Sequence, residues 1–391
     1  MRFIHMADIH FDSPFTVLAS KKDLSNIRRL EQREAFKKVI EYINKEKIPF
    51  LFISGDLYEQ EYIRESTIEY INNLFKTIPD TKIFISPGNH DPFLKNSFYN
   101  TFKWNNNVTI FNEEIKRIEL EDADIYGYGF NDFYCSNSKV EEIQIKNKEK
   151  INILLVHGAL DSSKTIDTQY NPISTTKLKE IGFDYIALGH IHKKTDKNKY
   201  NFIYPGSMIS FGFDELGEHG MLEIKIEKNN NLNNLEENKI NINNYSNNLE
   251  ENKKNKNNYL KNENKTKISF VKLDNRVFEE KKLDVSEINS EEEMIEKINC
   301  IETDENNFYK IILTGTKNIE INTNILCKLI AKNNILKIED KTETKYDFDK
   351  LVEQNNLKGI FVKKMIQKLN DENFKEEEII KAIEIGLKAF E

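Results

Sequence analysis

The sequence predicts an α/β layered fold followed by a smaller α/β domain and a helical tail, and three observations carry that reading. Short apolar segments rich in β-branched and aromatic residues recur from the N-terminus, at 2–5, 50–54, 82–86, 124–128, 151–157 and 185–188. Stretches with apolar residues at helical spacing lie between the first of them. A run of Asn, Lys and Glu then interrupts the pattern at 229–267 and divides the chain.

Each apolar segment has the length and composition of a buried strand. Between the first two, Leu30, Phe36, Val39, Ile40 and Ile43 predict a helix over 24–47, and Ile68, Ile71, Leu74, Phe75 and Ile78 predict another over 65–78. Strands at 201–204 and 220–226 close the sheet system. The 229–267 segment contains the heptamer Asn-Asn-Leu-Glu-Glu-Asn-Lys twice, at 233–239 and 247–253, and reads as a disordered insertion. After it, 268–340 reads strand, strand, helix, strand, helix, strand. Ser290 and Glu293 stand at capping-box spacing, and a strand is expected at 308–314. The tail, 347–391, reads as helical, with Phe361, Met365 and Leu369 on one stripe and Ile379, Ile383 and Leu387 on another.

Composition narrows the function. The chain has 391 residues, 38% hydrophobic and 31% charged, as in a globular protein with a sizeable core. No apolar run reaches the roughly 20 residues that span a bilayer, and Asp8, His10 and Asp12 break the segment a secretory signal would need, so a cytoplasmic protein without membrane contact is expected. The three cysteines lack the spacing of a thiolate site. With a net charge of −8, nothing advertises the basic surface of a tight nonspecific nucleic-acid binder, so any DNA contact must be local, metal-assisted or shared.

The chemistry lies in the histidines. Of seven, His10, His90, His157, His190 and His192 fall directly after expected strands, in polar or Gly-rich turns, while His5 and His219 read as structural. Asp8 and His10 are two residues apart, on one side of an extended chain. Asp56 follows Gly55, and its two oxygens could bridge two ions. Pro87-Gly88-Asn89-His90-Asp91 adds an amide oxygen, an imidazole and a carboxylate. Ligands of open α/β sheets gather beyond the carboxyl ends of the strands, so these motifs converge on one cleft. A nitrogen and oxygen donor set without thiolate favours Mn²⁺, Fe²⁺ or Zn²⁺.

Taken in order, Asp-x-His, Gly-Asp, Gly-Asn-His-Asp, His and Gly-His-x-His resemble the signature of the calcineurin-like metallophosphoesterases. Within them the chain is similar to the SbcD-type DNA repair nucleases, and more so to their YhaO-type branch. That likeness is carried by the opening residues 3–15, by Pro205-Gly206-Ser207, by Gly217-Glu218-His219-Gly220 and by Leu313-Thr314-Gly315. The resemblance implies an αββα two-sheet sandwich over 1–228, a capping domain over 268–340 and a partner-docking tail over 347–391. It assigns one metal to Asp8, His10, Asp56 and His192 and the other to Asp56, Asn89, His157 and His190. His90 then sits over the scissile phosphate, with Asp91 orienting its ring. The implied activity is that of a Mn²⁺-dependent DNA exonuclease or endonuclease subunit, working by two-metal hydroxide attack on the phosphodiester with an SbcC-like coiled-coil ABC-type ATPase as partner. The sequence leaves open a homodimer, and also a small-nucleotide phosphodiesterase or phosphoprotein phosphatase on the same scaffold. A catalytically dead scaffold is disfavoured, because every ligand position is filled.

Overall fold

In the computed structural model the described residues are 1–18, 22–161, 169–195, 201–227, 265–344, 346, 348–370 and 375–390. The chain forms two compact units, Met1–Phe278 and Glu279–Glu391.

The first unit begins with β1 (Arg2–Met6), α1 (Lys22–Glu46), β2 (Phe50–Ile53), α2 (Glu65–Lys76) and β3 (Lys82–Ile85). A short α3 (Phe98–Thr101) leads into β4 (Val108–Ile110), β5 (Lys116–Glu119), β6 (Ala123–Gly127) and β7 (Ile151–His157). Then follow α4 (Thr175–Ile181), β8 (Tyr185–Gly189), β9 (Phe202–Ile203), β10 (Gly220–Glu227) and β11 (Lys265–Lys272). These strands make two sheets, one ordered β11-β10-β1-β2-β3-β4 and the other β5-β6-β7-β8-β9. Strands β1 to β4 run parallel, as do β6 to β9, whereas β10 and β11 are antiparallel additions.

The sandwich follows from strands that are apolar on both faces. Phe3, Phe52 and Phe84 of one sheet meet Ile125, Leu155 and Tyr185 of the other in the central core, where the Phe3 and Tyr185 rings lie edge to face at 5.2 Å. Alternate residues of the second sheet, among them Tyr126, Val156 and Leu188, turn outward onto Leu178 and Phe183. On the other flank, Phe36 of α1 packs against Phe11 and against Phe75 of α2, at 5.1 and 5.9 Å between centroids. The layers are therefore those of an αββα sandwich, as expected.

The expected boundary at 268 is corrected. Strand β11 lies after the Asn-rich segment, yet it pairs with β10 along its whole length, from Gly220 opposite Lys272 to Glu227 opposite Lys265. The chain is then anchored at Asp274, whose carboxylate is buried against the guanidinium of Arg28 on α1. That guanidinium also donates to the Ser210 carbonyl at 2.8 Å. A buried ion pair with this many hydrogen bonds belongs to the first unit's core, so the second unit starts at Glu279. The disordered insertion expected at 229–267 falls outside the described residues, except 265–267, which are strand.

The second unit opens within β12 (Phe278–Asp284) and continues with α5 (Glu291–Cys300), β13 (Phe308–Thr314), β14 (Thr316–Lys317), α6 (Thr323–Leu329), β15 (Ile335–Asp340) and β16 (Glu343–Thr344). Strands β12-β13-β15 form one sheet and β14-β16 another. Ser290 caps α5 by accepting from Glu293 N at 3.1 Å, but the Glu293 carboxylate accepts from Asn289 N, so the expected capping box closes one residue early. The tail is helical as read, with α7 (Phe348–Val352), α8 (Leu357–Ile366) and α9 (Glu376–Lys388). It has its own core of Val362, Ile379, Ile383 and Leu387. Gly386 lets α9 approach the Phe361 ring, since a Cβ there would collide with that ring. No helix among the described residues is long and apolar enough to cross a membrane.

Candidate metal centre

The strand ends of both sheets converge on one cluster. Three triads of candidate ligands have donor atoms within 4.8 Å of one another: Asp8, His10 and His192; His10, Asp56 and His90; and Asp8, Asp56 and His157. Asp8 and His10 follow β1, Asp56 follows β2, His90 follows β3, His157 ends β7 and His192 follows β8.

The backbone is strained where these side chains turn inward. Asp8, His10, Asp56 and His190 have φ of 51, 50, 54 and 107°, a region that L residues occupy only when their surroundings force it. Two glycines make room. At Gly55, with φ of 87°, a Cβ would collide with the His157 ring, and at Gly88 it would collide with Asp56 Oδ1.

Hydrogen bonds set the imidazoles. His10 Nδ1 lies 2.8 Å from Glu59 Oε1, His192 Nδ1 lies 2.6 Å from Glu215 Oε1, and His157 Nδ1 lies 2.8 Å from the Ser54 carbonyl. Carboxylates and carbonyls only accept, so each Nδ1 carries the proton and each Nε2 is left for the centre. The Nε2 atoms of His10 and His192 stand 3.1 Å apart. Two ring nitrogens this close, with both Nδ1 atoms already used as donors, share a proton or hold a cation between them. Across the cluster, His157 Nε2 lies 3.0 Å from Asn89 Oδ1 and 3.2 Å from Asp56 Oδ2. Asp56 Oδ2 also lies 3.7 Å from His10 Nε2, so this one oxygen faces both sides of the cluster. Asp8 Oδ1 accepts from His190 N, while Asp8 Oδ2 is buried without a hydrogen-bond partner, an orphan a metal ion would satisfy. The donor set fits divalent cations.

The buried carboxylates also shift the imidazoles. Burial opposes the charged form of His157 and His192, yet the carboxylates of Asp56 and Asp8 for the first, and of Glu215 and Asp8 for the second, raise both to about 9. Burial likewise works against ionisation of Asp56, but His157 and His10 hold it well below the usual carboxylate range. His190 is pushed down to about 3 by burial and by the charge of His157.

Asp91 does not touch the His90 ring. Its Oδ1 accepts from Asp56 N and Gly88 N at 3.0 and 2.6 Å, and its Oδ2 from Leu57 N and the Tyr99 hydroxyl at 2.6 and 2.5 Å. A buried carboxylate with four donors is committed to joining the loops after β2 and β3, so Asp91 shapes the backbone under Asp56. His90 is instead oriented by Glu59, whose Oε2 lies 2.9 Å from His90 Nδ1. Burial disfavours its imidazolium, but Glu59 and Asp56 raise it to about 9. The ring of His190 is in none of the three triads; it lies against Tyr170 at 5.1 Å and His157 at 5.4 Å between centroids.

His5 and His219 are structural, as read. His5 is buried between the Tyr185 hydroxyl and Ser54 Oγ, and His219 between Ser207 Oγ and the Glu215 carbonyl. Glu59 and Glu215 were not legible in advance, because a single Glu near a turn has no distinguishing pattern.

The family profile described as calcineurin-like phosphoesterase matches residues 1–194. The uncharacterized metallophosphoesterase YhaO of Bacillus subtilis (strain 168) is 26% identical over 235 residues, which is 56% of this chain and 56% of that protein. The SbcD component of the nuclease SbcCD of Staphylococcus epidermidis is 27% identical over 273 residues, 60% of this chain and 68% of that one. Among solved structures, TT1561 of Thermus thermophilus aligns with 56% of this chain and 92% of its own at 12% identity and a TM-score of 0.34, a likeness too slight to bear on the fold. With two stacked sheets, and with imidazoles and carboxylates gathered at their strand ends, residues 1–194 form a calcineurin-like metallophosphoesterase domain.

Proposed function

We propose that the chain is a metal-dependent phosphodiesterase acting as a DNA nuclease subunit in repair or recombination, with Mn²⁺ as its metal. The observation that carries the phosphodiesterase reading is the position of Asp56, whose Oδ2 lies between His157 Nε2 and His10 Nε2, as a carboxylate bridging two ions would. Asp8, His10 and His192 would hold one ion with Asp56; Asn89, His157 and His190 would hold the other with it. When bound, such ions lower the pKa of an attacking water and neutralise phosphoryl oxygens.

The protein's own part is positioning and proton transfer. Glu59, Glu215 and the Ser54 carbonyl fix the tautomers of His10, His192 and His157, so that Nε2 is the donor at each. His90, whose side chain is 45% exposed, is anchored at Nδ1 and stands at the mouth of the cluster. As an imidazolium it would stabilise charge on the phosphoryl group or give its proton to the leaving oxygen.

The DNA part of the reading is supported by the 27% identity to the SbcD component of the nuclease SbcCD, and by the second unit, which a small-ester hydrolase would not need. On the same support we place an SbcC-like coiled-coil ATPase as partner, docked on the tail, where Leu357 and Ile360 are 68% and 50% exposed on an apolar helix. The test is hydrolysis of bis(p-nitrophenyl) phosphate and of linear DNA with and without Mn²⁺. Metal-dependent cleavage of both is expected. Activity undiminished by EDTA overturns the phosphodiesterase reading, and hydrolysis of the small ester with no cleavage of DNA, alone or with the ATPase, overturns the nuclease reading.

A further inference from the structure

A row of rings leads from the candidate metal centre to the surface. His157 and His190 are 5.4 Å apart between centroids, His190 and Tyr170 5.1 Å, and Tyr170 and Tyr134 6.0 Å. The last two steps are tilted, with interplanar angles of 36 and 34°. Tyr134 ends the row 58% exposed.

This outer pair is held firmly. Cys135 N donates to the Gln169 carbonyl at 2.7 Å and Asn171 N to the Cys135 carbonyl at 2.6 Å, which ties the two loops bearing the tyrosines together. The Asn171 side chain then donates to the carbonyl of His157 at 2.6 Å and accepts from the Tyr128 hydroxyl at 2.9 Å. The tyrosine loops are thereby bolted to a candidate ligand. An exposed aromatic ring carried on backbone so fixed, beside the candidate metal centre, leaves mainly its own side-chain freedom to be lost when another ring stacks on it.

We propose that Tyr134, backed by Tyr170, is a stacking platform for an unpaired nucleobase next to the scissile phosphate, so that the site takes single-stranded nucleic acid. The proposal rests on the phosphodiesterase reading above. At a net charge of −8, phosphate attraction contributes little, whereas stacking on an aromatic face does not depend on net charge. Every base has a π-face, so the platform reads no sequence. A base inside a duplex is covered on both faces by its neighbours and cannot use it.

The test measures binding of the full chain to a labelled oligo(dT) and to an abasic strand of the same length, by fluorescence anisotropy in EDTA so that neither is cut. The wild type binds oligo(dT) more tightly. Tyr134→Ala weakens oligo(dT) binding by about 5- to 150-fold and abasic binding by less than about twofold, while Tyr134→Phe keeps the preference. An equal loss on both strands, or an undiminished preference in Tyr134→Ala, overturns the platform alone. A wild type that binds neither strand and cleaves no nucleic acid, yet hydrolyses bis(p-nitrophenyl) phosphate, overturns the nucleic-acid reading together with it.

Discussion

Glu59 holds His90 from one carboxylate oxygen, at 2.9 Å, while its other oxygen holds His10 at 2.8 Å. One side chain therefore sets the tautomer of a candidate metal ligand and the position of His90, the residue proposed to act on substrate. Burial works against its ionisation, but the two imidazoles keep Glu59 low, at about 2, so it is a carboxylate throughout the neutral range.

Replacing it with Gln leaves one acceptor oxygen for two N–H groups. Glu59→Gln should lower metal affinity or turnover by about 10- to 100-fold, read by metal analysis and by kinetics on bis(p-nitrophenyl) phosphate. Wild-type values for both would remove Glu59 from the site.

His90 acts on substrate in this scheme. His90→Ala should leave the metal content of the purified protein unchanged while turnover falls by about 10² to 10⁴. Loss of an ion, seen by plasma mass spectrometry, would reassign it as a ligand, as its closeness to His10 and Asp56 also permits.

Asp56 faces both halves of the cluster, so Asp56→Asn should weaken both ions together. Titration calorimetry with Mn²⁺ should show two sites in the wild type and none of comparable affinity in the variant. Retention of one tight site would show that the oxygen does not bridge.

Asp274 is buried with Arg28 across 246 residues of sequence. Removing one partner leaves a charge buried and unpaired, so Asp274→Ala should cost about 3–5 kcal/mol in chemical denaturation. A loss under about 1 kcal/mol would mean that β11 is held by strand pairing alone.

On the tail, the double change Leu357→Asp and Ile360→Asp alters two exposed residues outside its buried core. It should leave the melting temperature within a few degrees of wild type, about the effect expected for surface changes, while abolishing co-purification with the proposed ATPase partner. Undiminished co-purification would place the partner elsewhere.

Much of this molecule was determined by the sequence itself. Apolar runs such as Ile151–His157 have the length and β-branched composition of strands buried on both faces, and the polar residues that end them then lie at the strand ends, so Asp8, His10, Asp56, His90, His157 and His192 were legible as one constellation. Tertiary structure decided what depends on contacts without local periodicity. Glu59 and Glu215 became the orienting groups because folding brings a turn carboxylate within 3 Å of a ring nitrogen. Asp91, read as the partner of His90, went to four donors, three backbone N–H groups of the loops after β2 and β3 and the hydroxyl of Tyr99 on α3, since a buried carboxylate goes where its hydrogen bonds are best satisfied. The strand after the Asn-rich segment joined the first sheet instead of the second unit because β10 offered it eight paired positions and Arg28 a counter-charge beyond. Local pattern specifies which residues form an element and which face is apolar; pairing and charge neutralisation in three dimensions decide which neighbour that element meets.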